Sequence, residues 1–187
     1  IDTHGSPFLP LDKRGSASMQ REQGDVRLRD LGIGDAGWLI MRHAELYARD
    51  EGFDWTFEPL VAEILVYFLR NRDATVERAW IAVRGEARLG SIFCVRQDAT
   101  TAKLRLFLLE PAARGLGLGQ RLLEACVGHA RRRGFDRLAL WTHESHKAAC
   151  ALYARNGFRM VDTRAVRSFG CDLVEQSWVL DLPDDPA

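Results

Sequence analysis

From Asp25 onward, apolar and polar residues repeat with two periods, and the switches between them divide the chain into elements. Val26-Arg27-Leu28-Arg29 alternates and predicts a short strand. A helix is expected from Asp35, placed to cap it, to about Glu51, with Gly52 as its stop. A second helix follows Thr56 as cap and tolerates Pro59 in its first turn. Its Leu60, Ile64 and Phe68 recur at helical spacing beside Val61 and Leu65. Ala79 to Val83 and Leu89 to Val95 read as a hairpin about Gly85. Lys103 to Leu109 is extended, with Leu104, Leu106 and Leu108 on one face and Pro111 closing the run. From about Gly117 to Arg133, Leu118, Leu122 and Cys126, with Leu123, Val127 and Ala130, make the buried stripe of a long helix. Arg131 to Arg133 suit its negative end, and Gly134 can end it. Arg137 to Thr142 predicts a strand, Ser145 to Asn156 a helix stopped by Gly157, and Phe158 to Thr163 and Ser177 to Leu182 two more strands. The order β-α-α-β-β-β-α-β-α-β-β predicts an α/β (α+β) sandwich, a mixed sheet with helices on both faces.

The first 24 residues break this pattern. Ile1 to Gly24 lacks an opening Met and a hydrophobic period and is rich in Gly, Ser, Pro and charge. It reads as a tag or interdomain linker, leaving residues 25–187 as the domain. With 26 basic and 26 acidic side chains the net charge is zero, which argues against direct nucleic-acid binding through bulk positive charge. No apolar run approaches the roughly 20 residues of a membrane helix. Cys94, Cys126, Cys150 and Cys171 are widely spaced and read as free thiols, as expected of a cytoplasmic protein.

The strongest chemical signal is Glu110-Pro111-Ala112-Ala113-Arg114-Gly115-Leu116-Gly117-Leu118-Gly119-Gln120, between a strand and a helix. Glycines at alternate positions let the backbone curl closely around a ligand, and unpaired N–H groups at a helix start attract anions. With Arg114 added, the loop suits a pyrophosphate. A nucleotide P-loop reading is weak because Gly119 is followed by Gln120-Arg121, not Lys-Ser/Thr. The dinucleotide fingerprint fails on spacing, which is G-x-G-x-G.

Arg114, Gly117 and Gly119 match, in register, the loop motif of the GNAT (Gcn5-related) N-acetyltransferases, and Leu152-Tyr153-Ala154-Arg155-Asn156-Gly157-Phe158 matches a second signature of that family. The chain resembles the family over roughly Asp25 to Leu182 and implies its mostly antiparallel mixed sheet. His43 to Phe57 and Ser168 to Leu182 resemble a bacterial subgroup often fused behind a MarR-like DNA-binding regulator, which implies such a domain upstream. The resemblance implies transfer of an acetyl group from acetyl-coenzyme A to a primary amine of a small molecule or protein. A non-catalytic acyl-coenzyme A sensor attached to a regulator is the alternative. Residues Arg114, Gly115, Leu116, Gly117, Leu118, Gly119 and Gln120 are implied to hold the pyrophosphate, and Leu108 and Leu109 to pair with the pantetheine arm. Ala149 and His146 are implied contacts of the last coenzyme-binding helix, although His146 stands where an Asn is common. Tyr153 is the implied proton donor to the departing thiolate, a thiol with a pKa near 8.5 facing a phenol near 10.

Many members carry a glutamate as general base on the strand before the loop, where this chain has Lys103 and Arg105. Candidate bases are therefore His43, Tyr47 and Glu51 of the first helix, with Glu110, His143 or an ordered water as rivals. His43, Tyr47 and Glu51 share a helix face by their spacing of four. With Phe53, Asp54, Trp55 and Thr142 they are expected to shape an acidic, aromatic acceptor pocket. His143-x-x-His146 with Cys150 is too small a set to predict a metal. Ser177 to Leu182, read as an edge strand, offers a pairing surface for a homodimer.

Overall fold

The two periods become two layers in the computed structural model of the protein, which describes residues 25–182. The expected tag or linker at residues 1–24 lies outside them. The elements are β1 (Arg27–Asp30), α1 (Asp35–Glu51), α2 (Phe57–Asn71), β2 (Arg78–Arg84), β3 (Ala87–Arg96), β4 (Thr101–Leu109), α3 (Leu118–Arg132), β5 (Arg137–His143), α4 (Lys147–Arg155), β6 (Arg159–Ser168) and β7 (Cys171–Asp181). A single 3-10 turn at Pro111–Ala113 links β4 to the loop before α3.

The seven strands lie in the order β1-β2-β3-β4-β5-β7-β6. Every pairing is antiparallel except β4 with β5. Alternation in the central strands sends side chains into two separate cores. Trp80, Ile92, Leu104 and Leu138 pack under α3 and α4, against Leu122, Leu123, Cys126 and Tyr153. Ile81, Phe93 and Leu106 pack under α1 and α2, against Leu39, Val61, Leu65 and Phe68.

Three local expectations need correction. Asp35 is the first residue of α1 and not its cap. Its fully buried carboxylate turns back to accept from Arg29 (3.0 Å), Arg88 (2.7 Å) and the Gly32 N–H (2.7 Å), tying α1 to β1 and β3. Leu106 does not share a face with Leu104. The register jumps from Phe93↔Arg105 to Ser91↔Leu108, and Leu106 adopts φ 46°, so a bulge rolls its side chain into the other core. The Ser91 hydroxyl fixes that bulge by donating to the Leu106 carbonyl at 2.6 Å. Finally, Ser177 to Leu182 is not an edge: β7 lies between β5 and β6, and β6 forms that border.

The topology places the site through one mismatch. β4 and β5 pair only from Thr101↔Arg137 to Lys103↔Ala139, and then separate. Beyond Lys103, β4 runs on to Leu109 and β5 to His143 without bonding each other. A wedge therefore opens in the middle of the sheet, between the two cores.

Candidate active site

The wedge widens into a cleft of about 1440 Å³, walled by α1, α2, β4, β5, β7 and the N-terminal end of α4. One rim is the glycine loop. Gly115 and Gly117 both take φ 75°, and Gly117 stands at the N-cap of α3. The first helical bond is from the Arg121 N–H to the Gly117 carbonyl (3.1 Å). Among the described residues, the N–H groups from Gly115 to Gln120 have no backbone partner, so they form an anion nest at the positive end of the helix dipole. A Cβ at Gly115 or Gly117 would meet no protein atom within 4 Å, leaving the space in front of the nest open.

The side chains of that loop divide in their work. Arg114 reaches across the cleft to Asp50 of α1 at 3.0 Å. Leu116 is exposed, whereas Leu118 is a core residue. Gly119 packs tightly beneath Leu109. The Gln120 amide pairs reciprocally with Asn156 (2.7 and 2.9 Å), joining α3 to the end of α4, so only its backbone faces the nest.

Along the wedge, Leu108 and Leu109 line the cleft on the β4 side. The Glu110 N–H points toward β3, donating to the Leu89 carbonyl at 2.9 Å. Strand alternation therefore turns the Leu109 N–H toward the open side. The unpaired edge can receive an extended polyamide arm as an added strand would.

At the head of the wedge Tyr47, Glu51, His146, Ala149 and Tyr153 come together with Thr142. Tyr153 is 4% exposed, packed by Phe158, Trp178 and Phe107, and its hydroxyl has no hydrogen bond among the described residues. Burial raises its pKa well above the usual phenol value, reinforced by the neighbouring Tyr47. Tyr47 is pushed up to about 12 by burial and by Glu51. Both phenols are therefore proton carriers at neutral pH. His146 Nε2 lies 3.5 Å from Glu51 Oε1, and its Nδ1 lies 3.2 Å from the Thr142 hydroxyl. Burial lowers the His146 pKa against the pull of Glu51.

Other predicted residues sit elsewhere. His43 lines the cleft as a neutral ring: burial lowers its pKa to about 4, and its Nδ1 donates to the Leu39 carbonyl at 2.8 Å. Phe53 is buried behind the cleft among Tyr47, Phe57, His143 and Phe169. Trp55 is 76% exposed and does not line it. Glu110 is clamped by Arg42 through two bonds of 2.6 and 2.7 Å, which occupies both carboxylate oxygens. His143 is 1% exposed behind Trp141 and Phe53, and neither ring nitrogen has a partner among the described residues. No group of three or more His, Cys, Asp or Glu among the described residues is arranged to hold a metal. No helix there is long and apolar enough to cross a membrane.

Sequence reasoning missed several cleft residues. Asp50, Trp141, Phe169, Glu175 and Trp178 line it without any motif to mark them. Lys103 and Arg105 line it too, and their signal was legible as two charges at alternate positions of an otherwise buried strand.

Comparison with known proteins agrees with this geometry. A mycothiol acetyltransferase of Thermobispora bispora is 29% identical over 143 residues, covering 71% of this chain and 46% of that protein. The chain thus spans about half the length of this relative. A 5-NmdU N-acetyltransferase of Pseudomonas phage PaMx11 is 32% identical over 91 residues, 47% of this chain and 63% of that protein. The fold matches the spermidine N-acetyltransferase of Vibrio cholerae, solved with coenzyme A and spermine, at a TM-score of 0.65 and 14% identity, covering 84% of this chain and 95% of that one. A sequence profile of the Acetyltransferase (GNAT) family matches residues 40–158. The chain belongs to the GNAT acetyltransferase family.

Proposed function

We propose that the protein transfers an acetyl group from acetyl-coenzyme A to a primary amine, both held in one cleft. The observation that carries this reading is a continuous path. The parting of β4 and β5 leads from the unpaired N–H groups of Gly115 to Gln120 to the cluster of Tyr47, Glu51, His146 and Tyr153. The nest would hold the pyrophosphate, and the open edge at Leu108 and Leu109 would align the pantetheine arm. Acetyl-coenzyme A supplies an activated acyl group as a thioester. The protein's part is to orient the amine against it, to polarise the carbonyl with the Leu109 N–H, and to manage two protons.

Glu51, with the His146 ring beside it, accepts the proton that the amine must lose before it can attack. Tyr153, kept protonated by burial, donates to the leaving thiolate. Glu110, spent on Arg42, serves to anchor α1 beside the loop. The test is thiol release from acetyl-coenzyme A in the presence of a panel of amines. Amine-dependent release that falls about 100-fold in Glu51→Gln supports the assignment. Release that ignores the amine, or is unchanged in Glu51→Gln at every pH, removes it.

A further inference from the structure

Lys103 and Arg105 occupy alternate positions of β4, so both side chains stand on the α1/α2 face of the sheet and line the cleft. Their surroundings are mostly neutral. Lys103 stands opposite Ala139 of β5, which stands opposite Val179 of β7, and Trp141 and Ser177 make the next row. Leu60 and Ile64 of α2 line the cleft as well.

Neither cation has a carboxylate within ion-pairing distance among the described residues. The contrast with other arginines of this region is clear. Arg29 and Arg88 hold Asp35, Arg42 holds Glu110, and Arg114 holds Asp50. Burial disfavours the charge on Lys103, and Arg105 beside it adds repulsion; burial acts on Arg105 as well. Two like charges drawn partly out of water, facing a cleft, gain most from an anion placed between them.

At the opposite end Glu51 stands beside His146 with no arginine or lysine on it among the described residues, whereas Asp50 there is paired with Arg49 and Arg114. Counted along β3, where Val95, Phe93 and Ser91 face Lys103, Arg105 and Leu108 across the bulge, a rise of about 3.3 Å per residue puts the Arg105 backbone about 7 Å from Leu108, and that of Lys103 about 13 Å. The cleft is therefore bipolar along its length. We propose that the amine acceptor also carries a carboxylate or phosphate, several bonds from its reacting nitrogen, which Lys103 and Arg105 hold. A polyamine, positive along its whole length, is a poor acceptor on the same ground. This inference rests on the acyl-transfer reading of the cleft.

The experiment compares ω-aminohexanoate, ω-aminohexyl phosphate, hexylamine and spermidine. Each is measured for acetylation with acetyl-coenzyme A and for calorimetric binding in the presence of coenzyme A. At least one anionic amine is expected to exceed hexylamine about 10- to 100-fold in kcat/KM or affinity, the scale of charge-assisted hydrogen bonds. Which of the two leads tells carboxylate from phosphate. The advantage disappears in Lys103→Met/Arg105→Met, while affinity for acetyl-coenzyme A stays. Lys103→Glu/Arg105→Glu moves the preference to spermidine. If the double variants do not fold, Arg105→Gln alone is held to the same criterion. Equal or absent binding of both anionic amines, or an advantage that survives removal of the cations, overturns the proposal. Anionic amines that bind in the predicted order but release no thiol leave the anion site standing and sink the acyl-transfer reading.

Discussion

At the scale of single residues, burial decides what each titratable group can do. Tyr153 is held protonated by its apolar surroundings, which fits it to give a proton and unfits it to take one. Tyr153→Phe removes only that proton, so kcat should fall about 10- to 100-fold with the KM for acetyl-coenzyme A nearly constant. Steady-state kinetics from pH 6 to 9 check this (a range of about three units around neutrality), and wild-type turnover throughout would remove Tyr153 from the mechanism. Glycine positions were the most legible part of the site, because alternate glycines after a strand have few structural uses besides a close backbone approach. Roles that depend on partners distant in sequence were not legible. Nothing near Glu110 signals Arg42 as the residue that occupies it, and nothing near Trp55 signals its exposure.

At the scale of elements, periodicity fixed the order of strands and helices, and long-range pairing fixed what periodicity could not. Leu104, Leu106 and Leu108 alternate in sequence as in any strand. The bulge that turns Leu106 to the face opposite Leu104 is fixed by Ser91 on the neighbouring strand, and Leu carries no preference for positive φ. The position of β7 inside the sheet follows from its pairing with β5 as well as β6, a non-local choice. Gly90 is the clearest test of the bulge. A Cβ there would lie 2.5 Å from the Leu108 carbonyl oxygen and 2.9 Å from Leu109 Cδ2, and the backbone of β4 cannot step aside cheaply. Gly90→Ala should therefore destabilise the fold by about 1–3 kcal/mol and displace the edge at Leu108 and Leu109. Denaturant unfolding measures the first effect and acetyl-coenzyme A affinity the second. A variant unchanged in both would show that the bulge does not order that edge.

At the scale of the whole molecule, the two cores meet at the wedge, and their buried histidines set its acid tolerance. His43 and His143 are each lowered by burial from 6.5 to about 4. His143 also feels His146, Glu175 and Glu51, but burial leads. Between these values the unfolded chain takes up protons that the folded chain refuses. Stability should thus fall as pH drops from 6.5 to 4, by roughly 3 kcal/mol per histidine. Asp35, lowered to about 2 by Arg29 and Arg88 against its own burial, keeps its contribution over that window and loses it only at lower pH. A Tm series from pH 7 to 4 should slope downward (roughly the span between a free and a buried histidine), and His143→Leu should make the slope shallower while His43 keeps its share. A level series would mean that the two rings are not buried as neutral groups.

The central claim is that the parted strands and the glycine nest form one acyl-coenzyme A site, and calorimetric titration of the intact chain with acetyl-coenzyme A tests it most directly. Arg114→Glu/Gly117→Trp is the comparison, since it reverses the charge at the loop and fills the open space before α3. Saturable binding by the intact chain, abolished in a variant that keeps its circular dichroism spectrum, is the predicted result. No binding by the folded intact chain, or equal binding by the variant, would contradict it.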